Sequence, residues 1–238
     1  MKLVSIITST IGRPHLARAI ESVKRQTYPN IQHIVAVDGP THHERVREIM
    51  APYDGIDVFY LPYPTRSVGG RIYAAMPHLS RGDFIMNLDD DNSLEPDHVE
   101  SLVNAIGDNP WAYCLRNFVV DGMFIMRDNY NSLGLLHRDL NDVPDHLDQR
   151  FVDTGCYLLR RDIALESSRH WCAERFDDQS QFNDRDYFTA LVKKYPVAPC
   201  SFKYSMNYEL PVSYISWARV QNSKMHTKFD GRLPWLAK

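Results

Sequence analysis

The first third of the chain alternates short apolar runs with stretches whose apolar residues recur at helical spacing. Lys2–Thr8 (KLVSIIT) is rich in β-branched residues and gives way to the polar loop Ser9–Arg13, which predicts a buried strand. Pro14 opens a helix, where its missing N–H costs nothing, and Leu16, Ala19, Ile20 and Val23 fall on one face. Tyr28-Pro29-Asn30 breaks that helix. A second strand is predicted over Ile31–Val37 (IQHIVAV), ending at Asp38-Gly39-Pro40. A short helix over His42–Met50, a third strand over Val58–Leu61 and a loop over Tyr63–Gly70 follow. Gly70–Leu79 reads as helical, stopped near Pro77. The fourth strand, Asp83–Leu88 (DFIMNL), runs straight into Asp89-Asp90-Asp91-Asn92.

Strand–helix alternation with links of this length implies parallel strands joined by crossover helices. The polar punctuation, Ser9–Arg13, Asp38-Gly39 and Asp89–Asn92, follows strands each time. In an open parallel sheet such loops gather along the carboxyl edge, where ligands bind. Glu95–Ile106 reads as an amphipathic helix closed by Gly107. Beyond Trp111 the pattern changes. Ala112–Val120 and Met123–Met126 predict antiparallel strands around the turn Asp121-Gly122. Asp128–Arg150 reads as a long polar loop, Phe151–Leu159 as a strand, Asp162–Cys172 as a helix, and Phe182–Tyr195 as containing a helix. The tail, Val197–Lys238, is rich in Tyr and Trp with short strand-like runs.

Composition narrows the functional classes. The chain has 238 residues, of which 44% are hydrophobic, enough for one sizeable core. Its formal net charge of −3 argues against a dedicated nucleic-acid binder, which needs a basic face to neutralise phosphates. No apolar run approaches the roughly 18 residues needed to cross a bilayer, and the N-terminus shows no secretory signal. Cys114, Cys156, Cys172 and Cys200 lack zinc-site spacing and read as thiols in a reducing compartment, so a cytoplasmic location is expected.

Asp89-Asp90-Asp91 is the strongest chemical signal. Adjacent carboxylates repel one another, and a hard divalent cation with oxygen ligands resolves the repulsion. Mg²⁺ or Mn²⁺ held this way completes its shell with water and substrate phosphate, so the triplet points to a phosphate-bearing ligand. The plain alternative is a solvated acidic turn capping the next helix.

Five segments carry a resemblance to a known family: Val4–Pro14, Asn30–Asp38, Gly69-Gly70-Arg71, Gly82–Asn92 and Phe182–Leu191. In this order they resemble the family 2 glycosyltransferases, which have the GT-A fold and act on nucleotide-diphosphate sugars. Gly82–Asn92 (GDFIMNLDDDN) is similar to the family's G-[DE]-[YF]-I-x-x-L-D-x-D-D, with Asn92 at the last position. The resemblance implies an α/β fold, a mixed and mostly parallel sheet flanked by helices in a single domain over 1–238. Residues 1–110 would form the nucleotide-sugar half, and residues 111–238 the acceptor half and tail.

The resemblance also implies roles. Thr8 would contact the base or ribose and Asp38 would hydrogen-bond the base edge, with Ser9, Thr10 and Arg13 beside them on the donor side. Arg71 matches the Arg of the family's A-R-N segment and would lie near the diphosphate or base; here Gly70 and Ile72 flank it. Asp89 would face the ribose and Asp91 ligate Mn²⁺ or Mg²⁺, with Asp89 as a further ligand, while Asp90, also a donor-binding residue, is acidic too and leaves this register open by one residue. Asn183-Asp184-Arg185-Asp186 resembles the family's E-D-x-D segment, with Asn183 replacing Glu and Asp184 as general base. The bare alternative for Asp184 is a carboxylate stabilising a helix N-terminus. Asp153, Thr154 and Gly155 would lie on the acceptor side. His226 stands either as a further metal ligand or as a surface histidine.

The implied reaction is inverting transfer from a UDP- or dTDP-type sugar donor to a hydroxyl of a saccharide, glycolipid or protein-linked glycan. Peripheral membrane contact through the aromatic tail with Lys224, Lys228 and Lys238 is left open. Two rivals remain. A nucleotidyltransferase would carry a Gly-rich basic loop after the first strand, whereas Ser9–Arg13 holds one glycine and one arginine. A non-catalytic nucleotide-sugar or carbohydrate-binding module would keep the donor site and tolerate loss of Asp184.

Overall fold

The structure is a computed structural model that describes residues 1–128, 151–172, 183–228 and 230–231. The elements in chain order are β1 (Val4–Thr10), α1 (Leu16–Lys24), β2 (Ile31–Val37), α2 (His43–Met50), β3 (Asp57–Tyr60), α3 (Gly70–Leu79), β4 (Phe84–Asp89) and β5 (Ser93–Leu94). There follow α4 (His98–Ile106), β6 (Trp111–Val120), β7 (Met123–Asp128), β8 (Tyr157–Arg160), α5 (Arg161–Ser167), α6 (Asn183–Lys194), β9 (Cys200–Glu209) and α7 (Ile215–Lys228).

The strands form one nine-stranded mixed sheet in the order β3-β2-β1-β4-β8-β6-β9-β5, with β7 also paired to β6. Strands β3, β2, β1 and β4 are mutually parallel, as the alternation of strands and helices requires. β8 runs antiparallel to both β4 and β6 and joins the two parts of the sheet. β6 and β9 are parallel again.

Strands β1, β2 and β4 are buried because helices cover them, while β3 at the sheet edge is half-buried. Leu16, Ala19, Ile20 and Val23 of α1 are all buried, as their spacing predicts. Leu16 and Ile20 meet Val35, Val37 and Val46 in a cluster under α2, while Ala19 and Val23 join the main core with Ile6, Ile34 and Met86. A third cluster, Phe118, Val120, Leu210 and Ala218, lies under α7.

Gly82 explains the tight entry to β4. A Cβ there would lie 2.6 Å from the backbone nitrogen and hydroxyl of Ser5 and from the Phe84 carbonyl. The Gly82 N–H donates to Ser5 Oγ at 2.9 Å, so the neighbour cannot simply withdraw. Gly82→Ala is expected to destabilise the domain by about 1–3 kcal/mol, as overpacking does. Urea unfolding measures this, and an unchanged midpoint would refute it.

Several expectations need correction. β1 extends to Thr10 rather than ending at Thr8, because its last residues remain paired with Ala36 and Val37. The strand expected over Phe151–Leu159 forms only from Tyr157. The Asp153 carboxylate accepts from the Gly155 N–H at 3.1 Å and caps a 3₁₀ turn over Thr154–Cys156. The helix expected over Asp162–Cys172 ends at Ser167 and tightens into a 3₁₀ turn over Ser168–Cys172. The tail contains one ten-residue strand, β9, and the fourteen-residue helix α7 instead of short runs. Of the loop expected over Asp128–Arg150, Asp128 ends β7 and the rest lies outside the described residues. The four cysteines are free thiols. Among the described residues, no helix is long and apolar enough to cross a membrane.

Candidate active site

A cleft of about 590 Å³ opens where β1, β2 and β4 end. It is lined by the loop after β1, by Asp38, by the loop entering α3, by Asp89–Asp91, by the turn after Asp153 and by the start of α6. The strand-end loops therefore converge as the topology predicts. Among the expected donor, acceptor and metal residues, Ser9, Thr10, Arg13, Asp38, Asp89, Asp90, Asp91, Asp153, Thr154 and Asp184 all line it.

The three aspartates after β4 are not equivalent. Asp90 is 4% exposed and accepts from Thr10 Oγ1 at 2.6 Å and from the Ile11 N–H at 3.3 Å. It also lies 3.4 Å from the Arg13 guanidinium, which hydrogen-bonds Asp91 as well. Asp90 thus ties the β1 loop to the β4 loop. Asp89 accepts from Tyr73 Oη at 2.5 Å. Burial, followed by the charges of Asp91 and Asp153, pushes its pKa up to about 8. Burial also raises Asp91, against the pull of Arg13. Tyr73 is itself pushed well above its ordinary value by burial and then by Asp89.

Asn92 occupies the family's last acidic position for a structural reason. It is buried, and its side-chain oxygen accepts from the Glu209 N–H at 2.9 Å. Arg18 donates to the Asp91 carbonyl at 2.8 Å and to Glu209 at 2.5 Å, so the acidic loop is braced from below against the end of β9.

On the far wall, Asp184 lies in the first turn of α6 and accepts from the Arg185 N–H at 2.8 Å. Burial, then the neighbouring charge of Asp153, raises its pKa to about 6. Asn183 is buried and donates to the Ser67 carbonyl at 3.3 Å, linking α6 to the loop before α3. A Cβ on Gly70 would lie 2.8 Å from the Asn183 amide nitrogen and 2.9 Å from the Trp171 carbonyl. Glycine at 70 and asparagine at 183 therefore fit one another. Asp153 is held by Arg116 at 2.6 Å, and Arg116 also reaches Asp128 at 2.7 Å. Arg116 is 3% exposed and stacks over Tyr208, its guanidinium carbon 4.4 Å from the ring centroid. This buried arginine fixes Asp153 in the cleft wall.

Four expected residues lie outside the cleft lining. Thr8 is fully buried, with its hydroxyl 3.0 Å from His33 Nε2. Since β1 continues to Thr10, the residue at the tip of the strand is Thr10. Arg71 donates to the Thr65 carbonyl at 2.8 Å. Gly155 is buried against Met206, and His226 sits on α7 beside Gly231. Asp38 lines the cleft, but its carboxylate already accepts from the Thr65 N–H at 2.5 Å and the Thr65 hydroxyl at 2.9 Å.

The sequence reading missed Tyr73, Trp171, Tyr208, Arg66 and Arg116. Arg116 was detectable as a lone charge inside an apolar strand. Tyr73 lies one helical turn from Gly69 and so shares its face. Trp171 and Tyr208 reach the cleft only through tertiary packing and left no local pattern.

The donor set suits a hard divalent cation. Asp89 and Asp91 offer oxygen ligands only; burial raises both carboxyls, with Asp91 adding to the rise at Asp89 and Asp90 to that at Asp91, and such a cation would relieve that crowding of charge. Another group, His15, Asp121 and Glu209, also brings three ligand atoms together. There Glu209 is already engaged by Arg18 and by the Asp121 and Gly122 N–H groups.

The mixed α/β sheet with an acidic cleft at its strand ends has the architecture of the GT-A glycosyltransferases. The profile of glycosyl transferase family 2 matches residues 5–166, and the chain belongs to that family. It is 30% identical over 172 residues to the glucosyl-dolichyl phosphate glucuronosyltransferase of Haloferax volcanii, covering 68% of this chain and 54% of the relative. The chain thus spans about half the length of that relative. Crystal structures of S. aureus TarS share the fold. One superposes with a TM-score of 0.60 at 11% identity, covering 95% of this chain and 44% of TarS. TarS residues 1–349 in complex with UDP superpose with a TM-score of 0.59 at 11% identity, covering 94% of this chain and 65% of that one.

Proposed function

We propose that the chain transfers a sugar, with inversion, from a nucleotide-diphosphate sugar to an acceptor hydroxyl, with Asp184 as general base. The observation that carries this reading is that Asp184 faces the same cleft as Asp89 and Asp91. The donor lies on the half formed by residues 1–110, across Ser9, Thr10, Asp38 and the acidic loop. The acceptor lies on the half formed by residues 111–238, against Asp153 and Thr154. An acceptor hydroxyl is a poor nucleophile and must lose its proton as it attacks the anomeric carbon. A carboxylate with a pKa near 6 is ionised at neutral pH yet basic enough to take that proton. Its place across the cleft from the acidic loop suits a single displacement.

Asp89 and Asp91 would hold Mn²⁺ or Mg²⁺. Such an ion, when bound, neutralises charge on the departing nucleoside diphosphate. Asp90 and Arg13 keep the loop in register, and Arg116 holds Asp153 where a sugar hydroxyl can donate to it. The UDP complex of the TarS neighbour supports a uridine- or thymidine-type donor. The dolichyl-phosphate-linked substrate in the Haloferax relative's name supports a saccharide or glycolipid acceptor reached at a membrane surface.

A thermal-shift screen of UDP, dTDP, GDP and CDP, each with Mn²⁺, Mg²⁺ or EDTA, tests the donor site. A ligand that binds the folded state raises the melting temperature by mass action, by about 2.7 kcal/mol of stability at a hundredfold excess over Kd. The expected result is a shift with UDP or dTDP that EDTA removes. No shift with any nucleotide would refute a nucleotide-sugar donor.

A further inference from the structure

We infer that Arg66 is a donor-binding residue that contacts the diphosphate of the nucleotide sugar; the inference rests on the donor reading above. The cleft is lined by Asp38, Asp89, Asp90, Asp91, Asp153 and Asp184, with Arg13 and Arg66 as its lining guanidinium groups. Such a wall repels a diphosphate unless cations are present to meet it. Arg13 is engaged with Asp90 and Asp91. Arg71, the arginine that the family resemblance placed near the diphosphate or base, is turned onto the Thr65 carbonyl. Arg66 has no ion-pair partner among the described residues and stands exposed at the cleft wall.

The backbone supplies a second, independent argument. Arg66 has φ +55° and Val68 φ +47°, in the left-handed region that non-glycine residues avoid, and a β-branched residue there is a true outlier. Val68 is also 76% exposed, so core burial does not hold it there. The conformation is imposed by fixed neighbours on both sides. Thr65 is bound by Asp38 through its N–H and hydroxyl and by Arg71 through its carbonyl. Ser67 accepts from the Arg71 N–H at 2.9 Å, and its carbonyl accepts from Asn183 at 3.3 Å. Gly69 packs on Ser9, where a Cβ would lie 3.2 Å from the hydroxyl. Strain that persists because its surroundings over-determine it is a mark of functional sites. Here it presents a charged side chain to an acidic cleft that must admit an anion. The guanidinium fork suits paired phosphate oxygens.

The test is isothermal titration of UDP in Mn²⁺ against wild type, Arg66→Gln and Arg66→Gly. Uridine, followed by ligand-observed NMR, serves as the control without phosphate. Arg66→Gln is expected to weaken UDP about tenfold or more, to leave uridine unchanged and to flatten the dependence of UDP affinity on salt. Arg66→Gly relieves the backbone, since glycine accepts this φ freely. It should lose the same UDP affinity while melting at or above the wild-type temperature. A melting temperature that falls in both variants would mark Arg66 as structural and overturn the assignment. So would UDP affinity within twofold of wild type, or equal losses for UDP and uridine. If wild type binds none of UDP, dTDP, GDP and CDP, the donor reading falls and the inference with it. If wild type binds UDP and Arg66→Gln binds it equally, only the inference falls.

Discussion

Asp184→Asn is expected to cut sugar transfer by roughly 10²–10⁴-fold, the range typical of a lost general base, while leaving nucleotide affinity near wild type. The asparagine keeps the shape and the contact to the start of α6 but cannot accept the proton. The wild-type pH profile should carry the same signature. The pKa of Asp184 is raised to about 6, so the base is lost by protonation as pH falls through that value. Transfer should therefore decline below about pH 6, and the variant's residual rate should lack that limb. Steady-state rates between pH 5 and 8 decide the matter. A variant with near-normal kcat would show that another group takes the proton, and retained UDP binding would confirm that the variant is folded.

Asp89→Asn should produce the second large effect, and in two opposite directions. The pKa of Asp89 is raised to about 8 from an ordinary value near 4, by burial and then by Asp91 and Asp153. The native state therefore holds a proton that the unfolded state releases, and stability falls as pH rises through the window from about 4 to about 8. Above that window the buried charge works against folding. Asparagine removes it, so the variant without ligand should melt several degrees higher than wild type at pH 8.5. It should also lose Mn²⁺-dependent UDP binding by roughly ten- to hundredfold, the value of one charge-assisted contact. Scanning calorimetry with and without UDP and Mn²⁺ reads both effects. A variant that is less stable at pH 8.5, or that binds UDP as wild type does, would contradict this account.

The parts of this molecule that were legible in the sequence are those whose physics is local. β1 and β2 are β-branched runs and β4 is an apolar one, each closed by polar residues, and Asp38 and Asp89–Asp91 sit where those runs stop. Parallel topology then brings them to one edge without further information. The family resemblance placed Thr8 at the base or ribose, at a strand end drawn two residues early. The pattern of apolar residues stops at Thr8, but the pairing with β2 continues to Thr10. β9 was obscured by Lys203, Asn207 and Glu209, which weaken its alternation. Asn207 is nevertheless satisfied within the sheet, accepting from Asn117 at 3.0 Å and donating to Glu95 at 2.9 Å. Arg66 and Tyr208 belong to segments far apart in the chain, and only the folded cleft relates them.

The short strand β8 has a consequence for any attempt to divide the protein. Its four residues supply the hydrogen-bonded seam between β4 and β6, pairing Leu158 and Leu159 with Met86 and Ile85 on one side and with Ala112 and Trp111 on the other. A fragment ending near residue 110 would lose that seam. It would present Phe84, Ile85 and Met86 as an uncovered apolar edge, the kind of template on which strands of other copies add. Such a fragment would be expected to aggregate rather than bind nucleotide as a free-standing unit. The two sides of the cleft therefore have to be inherited, expressed and engineered as one piece.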